Sequence, residues 1–318
     1  MPQPAAGRAP ATVVVCTKNR PKYLPDCLRS IDVALGADDE GIVVEDGDSA
    51  VAATLPELRG TWTHLEEHDH WKTWSMNRGI ERARHDVVVF TDDEVRVPAG
   101  WIDGMVAAFD DPSVGIAFGP VEGMTHVEGP PHPYPPVGPA PAFPWEYSHG
   151  ASMAVRRTAI LAIGGFDERL GPGRPTGTGE EPDVILRLAD AGWQCVIAPA
   201  PSVRHLEWRD DEETFRTLMN YERGSGAWMG AALRRRRRTY SKLVVARLRY
   251  QRHLFRRPRT RGWTFGARAL GAFLNGVGRG LRMTPREWLR SVPEGVGDAV
   301  PPRSRDVGDG GVDQPGNH

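Results

Sequence analysis

The chain has 318 residues, of which 40% are apolar and 25% are charged, the composition of an ordinary soluble globular protein. Its three cysteines show no paired spacing, which argues against a disulfide scaffold and predicts buried thiols in a reducing, cytoplasmic compartment. The sequence contains no run of about 18 apolar residues, which argues against an ordinary membrane-spanning helix.

The formal net charge of −1 hides a strong asymmetry along the sequence. Residues 234–290 contain 18 Lys and Arg and a single acid, Glu287, whereas acids are in excess over the rest of the chain. The sequence therefore predicts an acidic body followed by a basic C-terminal region.

Apolar runs and helical patterns alternate along the first part of the chain. The runs at 12–16, 42–44, 87–90 and 114–118 predict strands, and the patterns at 23–31, 76–84 and 101–109 predict helices. This alternation predicts an α/β fold with a doubly wound, mostly parallel sheet.

Composition divides the chain into four parts. Residues 1–10 are rich in Pro and Ala and predict a disordered N-terminus that is not a signal peptide. Residues 11–210 predict the α/β domain, and residues 211–290 predict a basic helical appendage with an amphipathic helix at 263–281. Residues 291–318 are rich in Gly, Pro and Asp and predict a disordered tail.

Two of the predicted strands end in carboxylates. Asp92, Asp93 and Glu94 follow one strand, and Glu45 and Asp46 close an earlier one. Because the carboxyl ends of parallel strands lie along one edge of a sheet, both acidic clusters are expected to face the same crevice. Three adjacent carboxylates repel one another unless a cation neutralises them, and their hard oxygen atoms suit Mg²⁺ or Mn²⁺. A solvated acidic turn is the alternative that this segment leaves open.

Two phosphate-binding patterns are missing or incomplete. The first predicted strand is followed by Thr17, Lys18, Asn19 and Arg20, and the absence of a G-x-G-x-x-G there argues against a dinucleotide-dependent dehydrogenase. The Gly-rich segment 171–179 follows no predicted strand, lacks a terminal Lys-Ser or Lys-Thr and runs into two glutamates. It therefore predicts a loop that does not cradle phosphate.

Motifs in order along residues 11–208 resemble those of the family 2 glycosyltransferases, which have the GT-A fold and invert the anomeric carbon of the transferred sugar. They include the opening strand and loop at 13–20, V-V-E-D-G at 43–47, N-R-G-I at 77–80, F-T-D-D-E at 90–94, G-E-E-P-D at 179–183 and V-R-H at 203–205. The resemblance implies a GT-A fold and a transferase that uses a nucleotide-sugar donor and a hydroxyl acceptor.

The resemblance also implies a set of donor and metal residues. It assigns donor binding to Thr17, Asn19, Arg20, Glu45, Asp46, Asn77, Arg78, Asp92 and Asp93. It assigns a Mg²⁺ or Mn²⁺ ion to Asp92, Asp93, Glu94 and His205. Whether Asp93 or Glu94 is the direct ligand stays open, because the family pattern ends in Asp and this sequence ends in the longer Glu. Met76 stands where the resemblance expects an arginine.

Inversion requires a second carboxylate that takes the proton of the acceptor hydroxyl. Glu181 lies where the resemblance places this base, and Glu180 and Asp183 flank it. Neighbouring like charges raise at least one pKa toward the useful range, so we predict Glu181 as the base with Asp183 as a second catalytic residue. An acidic helix N-terminus without a catalytic role is the alternative reading of the same residues.

The basic region permits three interpretations. Interleaved arginines and apolar residues favour contact with an anionic membrane surface, which would place the protein peripherally on the inner face of the membrane. A solvated helical cap that covers the acidic body or mediates self-association is the second interpretation. Nucleic-acid binding is the third, and the lack of any accompanying nucleic-acid motif argues against it.

Two other functions compete with glycosyl transfer. A sugar-nucleotidyltransferase uses a related fold but needs a Gly-rich basic loop after the first strand, which this sequence lacks. A non-catalytic nucleotide-sugar binding module would keep the fold and lose the acids, whereas here every acidic position is filled.

Overall fold

The computed structural model describes residues 7–47, 55–123, 137–139, 147–206, 210–234 and 263–283. Its strands are β1 (Ala11–Thr17), β2 (Glu40–Asp46), β3 (Thr61–Glu67), β4 (Val87–Asp92), β5 (Val95–Arg96), β6 (Val114–Phe118), β7 (Val121–Glu122), β8 (Gly138–Pro139), β9 (Met153–Arg156), β10 (Gln194–Ile197) and β11 (Val203–His205). Its helices are α1 (Leu24–Ala34), α2 (Lys72–Arg82), α3 (Trp101–Ala107), α4 (Arg157–Ala162), α5 (Glu180–Asp190), α6 (Asp211–Arg234) and α7 (Trp263–Arg282). We call the described residues from 7 to 206 the α/β body, and α6 with α7 the helical pair.

The larger sheet has the strand order β3-β2-β1-β4-β9-β6-β10-β8. Strands β1 to β4 pair in parallel, as do β6 and β10, whereas β9 runs antiparallel between β4 and β6. A smaller sheet has the order β5-β11-β7. The predicted α/β fold with a doubly wound, mostly parallel sheet is confirmed.

The core lies in two layers, one on each face of the larger sheet. Because side chains alternate along a strand, Val13 and Val15 of β1 pack on one face with α1 and α3, and Val14 packs on the other with α2, α4 and α5. Both faces of β1 are therefore covered, which explains why its sequence is an unbroken β-branched run.

Helix α2 begins at Lys72, four residues before the predicted start at 76. The preceding residue, Trp71, has a positive φ of 83°, a conformation that side chains other than glycine rarely adopt. Its backbone N–H donates to Asp46 at the end of β2 over 2.7 Å. A contact with another strand thus fixes where this helix begins.

The helical pair packs backbone against backbone. A Cβ added to Gly226 of α6 would collide with the carbonyl oxygen of Phe273, and one added to Gly276 of α7 would collide with that of Arg223. The pair contacts the body through Trp228, which packs in one apolar cluster with Leu170. The predicted helical character of the C-terminal region is confirmed for α6 and α7.

Several predicted segments lie outside the described residues. They are residues 1–6 of the predicted N-terminus, residues 235–262 and 284–290 of the basic region, and the whole predicted tail at 291–318. Within the described part of the chain, none of the helices combines the length and apolar character that crossing a membrane requires. The predicted domain boundaries stay predictions.

Candidate active site

The carboxyl ends of β2 and β4 lie at one edge of the larger sheet, on either side of β1, because the three strands are parallel neighbours. This arrangement brings Asp46 and Asp92 to the same edge. After β4 the chain turns through Asp93 and Glu94 into β5, which pairs with β11 up to its last residue, His205. The acids that follow β2 and β4 and the predicted histidine therefore lie around one cleft.

Asp92 pairs with a lysine that comes from the first turn of α2. The Nζ atom of Lys72 lies 2.5 Å from Asp92 Oδ1, and the two side chains are 23% and 22% exposed. Burial is the largest single influence and would raise the pKa of Asp92, but the charge and hydrogen bond of Lys72, together with the charges of His205 and Arg20, lower it overall. Asp92 is therefore an ionised carboxylate that still reaches the solvent side of the cleft.

Asp93 and Glu94 are buried and share one arginine. The hydroxyl of Thr17 donates to Asp93 Oδ2 over 2.7 Å, and Arg20 Nη1 lies 3.2 Å from Asp93 Oδ1 and also pairs with Glu94. His205 Nε2 lies 3.4 Å from the other oxygen of Glu94. Burial raises the pKa of Asp93, although the charge of Arg20 and the hydrogen bond from Thr17 oppose that rise.

The predicted metal ligands fit a divalent cation in chemistry but do not form a finished cage. Within the described ranges, no three His, Cys, Asp or Glu side chains gather closely enough to hold a metal ion by themselves. Asp92 and Glu94 offer hard carboxylate oxygens, and His205 offers a ring nitrogen beside Glu94. Both oxygens of Asp93 face Thr17 and Arg20, and both oxygens of Glu94 face Arg20 and His205, so neither acid presents an unengaged oxygen in this structure. Mg²⁺ is commonly held by one or two carboxylates together with the phosphates of a ligand, which such a partial set permits.

Asp46 organises the side of the cleft formed by β2. Its carboxylate accepts hydrogen bonds from the backbone N–H groups of His70 and Trp71, and Lys18 Nζ lies 3.1 Å away. Burial opposes these bonds, but together they lower the pKa of Asp46. The ammonium of Lys18 also lies 4.4 Å from the centre of the Trp71 ring. A cation, a carboxylate and an indole thus line this side.

Glu45 and Asn19 support this side from within the protein. Glu45 is buried, and His64 Nε2 lies 2.9 Å from its Oε2 atom. The Asn19 side chain lies against Gly47, where a Cβ would collide with its amide oxygen. Both residues are near Asp46 in the fold, and Glu45 faces the interior instead of the cleft.

Asn77 and Arg78 point away from the acidic cluster. The Asn77 side chain donates to the Phe166 carbonyl over 3.1 Å and accepts from the Phe166 N–H over 2.8 Å. Arg78 pairs with Glu67 at 3.1 Å and Glu81 at 2.6 Å. These two predicted donor residues therefore bond groups that pack around α2, and neither bonds the carboxylates at the end of β4.

Glu181 lies in the first turn of α5, on the opposite side of the cleft. Its carboxylate accepts a hydrogen bond from the backbone N–H of Gly150. A Cβ on Gly150 would lie 2.9 Å from Glu181 Oε1 and 3.2 Å from Lys72 Nζ, so the ends of both side chains lie close to Gly150. Burial raises the pKa of Glu181 and the charge of Lys72 opposes that rise. A partly buried carboxylate with a raised pKa suits a general base.

Glu180 is buried beside Glu181. Its Oε2 atom has no hydrogen-bond partner within the part of the chain that the structure describes. Burial, reinforced by the charge of Glu181, raises the pKa of Glu180 to about 8. The two neighbouring glutamates therefore hold a proton more readily than isolated carboxyls do.

Asp183, predicted as a second catalytic residue, makes an ion pair within its own helix. Arg187 Nε donates to Asp183 Oδ2 over 2.6 Å, and both side chains are buried. Arg187 also donates to the carbonyls of Ile163 and Gly165. The pair thereby ties α5 to the turn after α4, and the structure places Asp183 among these contacts.

Lys72 is a site residue that sequence reasoning missed. Its Nζ atom bonds Asp92, and Asp92, Glu181 and Glu180 together raise the pKa of Lys72 although burial opposes the charged form. A signal for it existed in the sequence. Lys72 lies four residues before Met76, hence on the same face of a helix, and Met76 replaces an arginine that the family resemblance expects.

The comparisons with known proteins support a family 2 glycosyltransferase. Residues 12–150 match the family model described as glycosyl transferase family 2. The pre-mycofactocin glycosyltransferase of Mycobacterium tuberculosis is 28% identical over 224 residues, which cover 64% of this chain and 44% of that protein. The chain thus spans less than half the length of this curated relative. The resemblance seen in the motifs is confirmed.

Solved structures support the fold. The mannosyltransferase PcManGT from Pyrobaculum calidifontis, solved in complex with GDP-Man and Mn²⁺, superposes with a TM-score of 0.59 and 16% identity, over 87% of this chain and 89% of that one. TarS from S. aureus superposes with a TM-score of 0.52 and 14% identity, over 84% and 80% of the two chains. At such identities the likeness shows a shared fold and no more.

Proposed function

Because residues 12–150 match the model of glycosyl transferase family 2, we propose that this chain transfers a sugar from a nucleotide-sugar donor to a hydroxyl acceptor and inverts the anomeric carbon. One observation carries this proposal: two carboxylates, Asp92 at the end of β4 and Glu181 at the start of α5, lie in one cleft with Lys72 between them. Inverting transfer needs a base for the acceptor that is separate from the groups that hold the donor.

The reaction that this arrangement supports is a single displacement. Glu181 accepts the proton of the acceptor hydroxyl while the hydroxyl oxygen forms a bond to the anomeric carbon. The bond from that carbon to the diphosphate oxygen breaks, and the diphosphate leaves with the electron pair. The raised pKa of Glu181 favours this role, because a base is most effective when its pKa approaches the working pH.

The donor side of the cleft offers cations and an aromatic ring. Lys18 and Trp71 lie beside Asp46, where they would contact the nucleoside, and Lys72 lies beside Asp92. A divalent ion, Mg²⁺ or Mn²⁺, held by Asp92, Glu94 and His205 would offset the negative charge that develops on the leaving diphosphate. PcManGT, which shares the fold, binds GDP-Man and Mn²⁺, and this supports a nucleotide-sugar donor and a metal here.

The proposal is tested by screening nucleotide sugars against the full chain. Each donor is added with Mn²⁺, with Mg²⁺ or with excess chelator, and the melting temperature is followed, because a ligand that binds the folded state raises it. We expect one donor to raise the melting temperature in the presence of metal and to lose most of that effect in chelator.

Product analysis of the same mixtures separates the competing functions. A glycosyltransferase releases nucleoside diphosphate slowly, even with water as acceptor. Release of pyrophosphate would instead indicate a sugar-nucleotidyltransferase, and binding without release of either product would indicate a binding module. Full activity after exhaustive metal removal would contradict the metal dependence.

The outer face of the helical pair supports contact with an anionic membrane surface. Helix α7 contains no acidic residue, and its exposed face carries Leu274 and Leu281, which are 57% and 46% exposed, beside Arg268, Arg279 and Arg282. Apolar side chains flanked by arginines suit binding at a lipid interface. Such contact would hold the enzyme on the cytoplasmic face of a membrane, next to a lipid-linked or membrane-proximal acceptor.

A further inference from the structure

We propose that Lys72 is a positioning residue for the transfer reaction and acts through Glu181, joining the base on the acceptor side to Asp92 on the donor side. The inference rests on the proposed function. The inference goes beyond the proposed function, because the motifs that point to a glycosyltransferase place no lysine at this position.

The geometry gives Lys72 two sets of partners. Its Nζ atom lies 2.5 Å from Asp92 Oδ1 on one side. On the other side it faces Glu181 across Gly150, and the two side-chain ends come within 3.2 Å and 2.9 Å of the point where a Cβ of Gly150 would be. The ammonium of Lys72 thus contacts the donor-side carboxylate and lies near enough to the predicted base to act on it electrostatically.

Helix α2 does not need this lysine to hold its place. The Thr73 hydroxyl donates to the Leu170 carbonyl over 2.9 Å, and Asn77 makes two hydrogen bonds with Phe166. At the start of the helix, the Trp71 N–H bonds Asp46. These contacts fix α2 at three points. The position of the helix therefore does not depend on the charge of Lys72, which can act on the groups of the cleft.

The chemistry explains what a fixed cation would do between these groups. When Glu181 takes the acceptor proton, its negative charge disappears, and at the same moment the diphosphate gains negative charge near Asp92. Lys72 is close to both positions, so it can hold the ionised base before transfer and stabilise the leaving group after it. A preoriented charge of this kind does not have to reorganise during the reaction.

A kinetic double-mutant cycle tests the role. Nucleoside diphosphate release is measured for the full chain, Lys72→Met, Glu181→Gln and the double variant, with the nucleotide sugar that the screen selects and with water as acceptor. We expect Lys72→Met to lower turnover about 10²-fold, the usual effect of removing one such stabilising group. In the Glu181→Gln background the same change is expected to cost less than about 5-fold, because coupled residues are not additive.

Three further variants complete the design. Lys72→Arg keeps the charge and is expected to recover turnover to within about 10-fold of the parent chain.

Gly150→Ala keeps every charge but adds a methyl group close to Lys72 and Glu181. It is expected to lower turnover about 10-fold while donor affinity stays within about 3-fold. Lys22→Met, at an exposed lysine over the ring of Tyr23, is the matched control and is expected to change nothing.

The outcomes separate this role from the proposed function. A parent chain that releases no nucleoside diphosphate from any donor would overturn the proposed function and the role of Lys72 with it. Release by the parent chain with equal losses for Lys72→Met in both backgrounds would overturn only the coupling to Glu181. Near-normal turnover of Lys72→Met, or of Gly150→Ala, would also overturn the coupling between Lys72 and Glu181. If Lys72→Met merely lowered the melting temperature while Gly150→Ala kept full turnover, Lys72 would be structural.

Discussion

The α/β body and the helical pair are held together by opposite means. In the body, both faces of β1 are covered by large apolar side chains, and the charged groups collect where the strands end. In the helical pair, the helices approach at Gly226 and Gly276, where the lack of side chains lets the two backbones touch. The body is held by apolar side chains on both faces of its sheet, whereas the helical pair combines an apolar cluster around Trp228 and Phe273 with close backbone contact at its glycines.

This difference separates chemistry from folding. The carboxylates at the cleft lie at or just beyond the ends of strands or at the start of a helix, so the core does not depend on them. Gly226 and Gly276 carry no chemistry, but the close approach of α6 and α7 depends on both of them. Substitutions in the cleft should therefore change turnover more than stability, and substitutions at the glycine crossing should change stability more than turnover.

The largest effect is expected at the base. Glu181→Gln should lower turnover on the order of 10²–10⁴-fold, because the neutral amide cannot accept the acceptor proton. Donor affinity, measured by calorimetry, and the unfolding temperature should change little. Glu57→Gln, at an exposed glutamate of the body, is the matched control. Near-normal turnover of Glu181→Gln would move the search for the base to Glu180 or Asp183.

The next effect is expected at the helix crossing. Gly226→Ala should lower the free energy of unfolding by about 1–3 kcal/mol, because the new methyl group collides with the Phe273 carbonyl and the helices must separate. Gly271→Ala is the matched control, since nothing lies within 4 Å of its added Cβ. Urea unfolding followed by circular dichroism measures both. Equal stability of the two variants would show that the crossing tolerates a side chain.

A smaller effect, dependent on pH, is expected within the body. Asp39 accepts hydrogen bonds from Arg8 and from the N–H groups of Ala11 and Gly36, and although burial opposes them they lower its pKa. Because the folded pKa lies below the unfolded one, this stabilisation is present above about pH 4 and disappears as the pH falls through the folded pKa. Asp39→Asn should cost about 1–3 kcal/mol at pH 7 and much less at pH 3.

The control for this prediction is the adjacent residue. Asp38 is exposed, and Asp38→Asn should leave the pH dependence of unfolding unchanged. The two variants are compared by urea unfolding at pH 7 and pH 3. If Asp39→Asn cost the same free energy at both values, the carboxylate charge would not be the source of the stabilisation.

The smallest effect on the fold is expected at the outer face of α7. Replacing Leu274 and Leu281 with serine should leave stability within about 0.5 kcal/mol, since both side chains are exposed. It should reduce co-sedimentation with anionic liposomes, and the binding that remains should fall steeply with salt. Val33→Ser, at an exposed valine of the body, is the control. Equal sedimentation of all three chains would leave a helical cap as the better interpretation.

The sequence was most informative where the fold is regular. β1, β4 and β6 are apolar runs covered on both faces, and periodicity alone located them. β3 was not predicted, because it is an edge strand whose partly exposed residues Thr61–Glu67 form no apolar run. β9 was not predicted either, because Met153–Arg156 is only four residues long and its place between β4 and β6 depends on distant strands.

The same limit applies to the site. Strand periodicity placed Asp46 and Asp92 at one sheet edge before any contact was known. It could not show that Arg20 pairs with Glu94 or that Thr17 donates to Asp93, because these bonds depend on how the loops after β1 and β4 close. Lys72 was missed because a contact between Trp71 and Asp46 begins the helix earlier than the local pattern indicates.

The central claim is a single displacement in which Glu181 takes the acceptor proton. The most direct test is the anomeric configuration of the first-formed product, read by proton NMR before mutarotation or further reaction. We expect a product whose configuration is opposite to that of the donor, formed by the parent chain and only very slowly by Glu181→Gln. A product with retained configuration would contradict it.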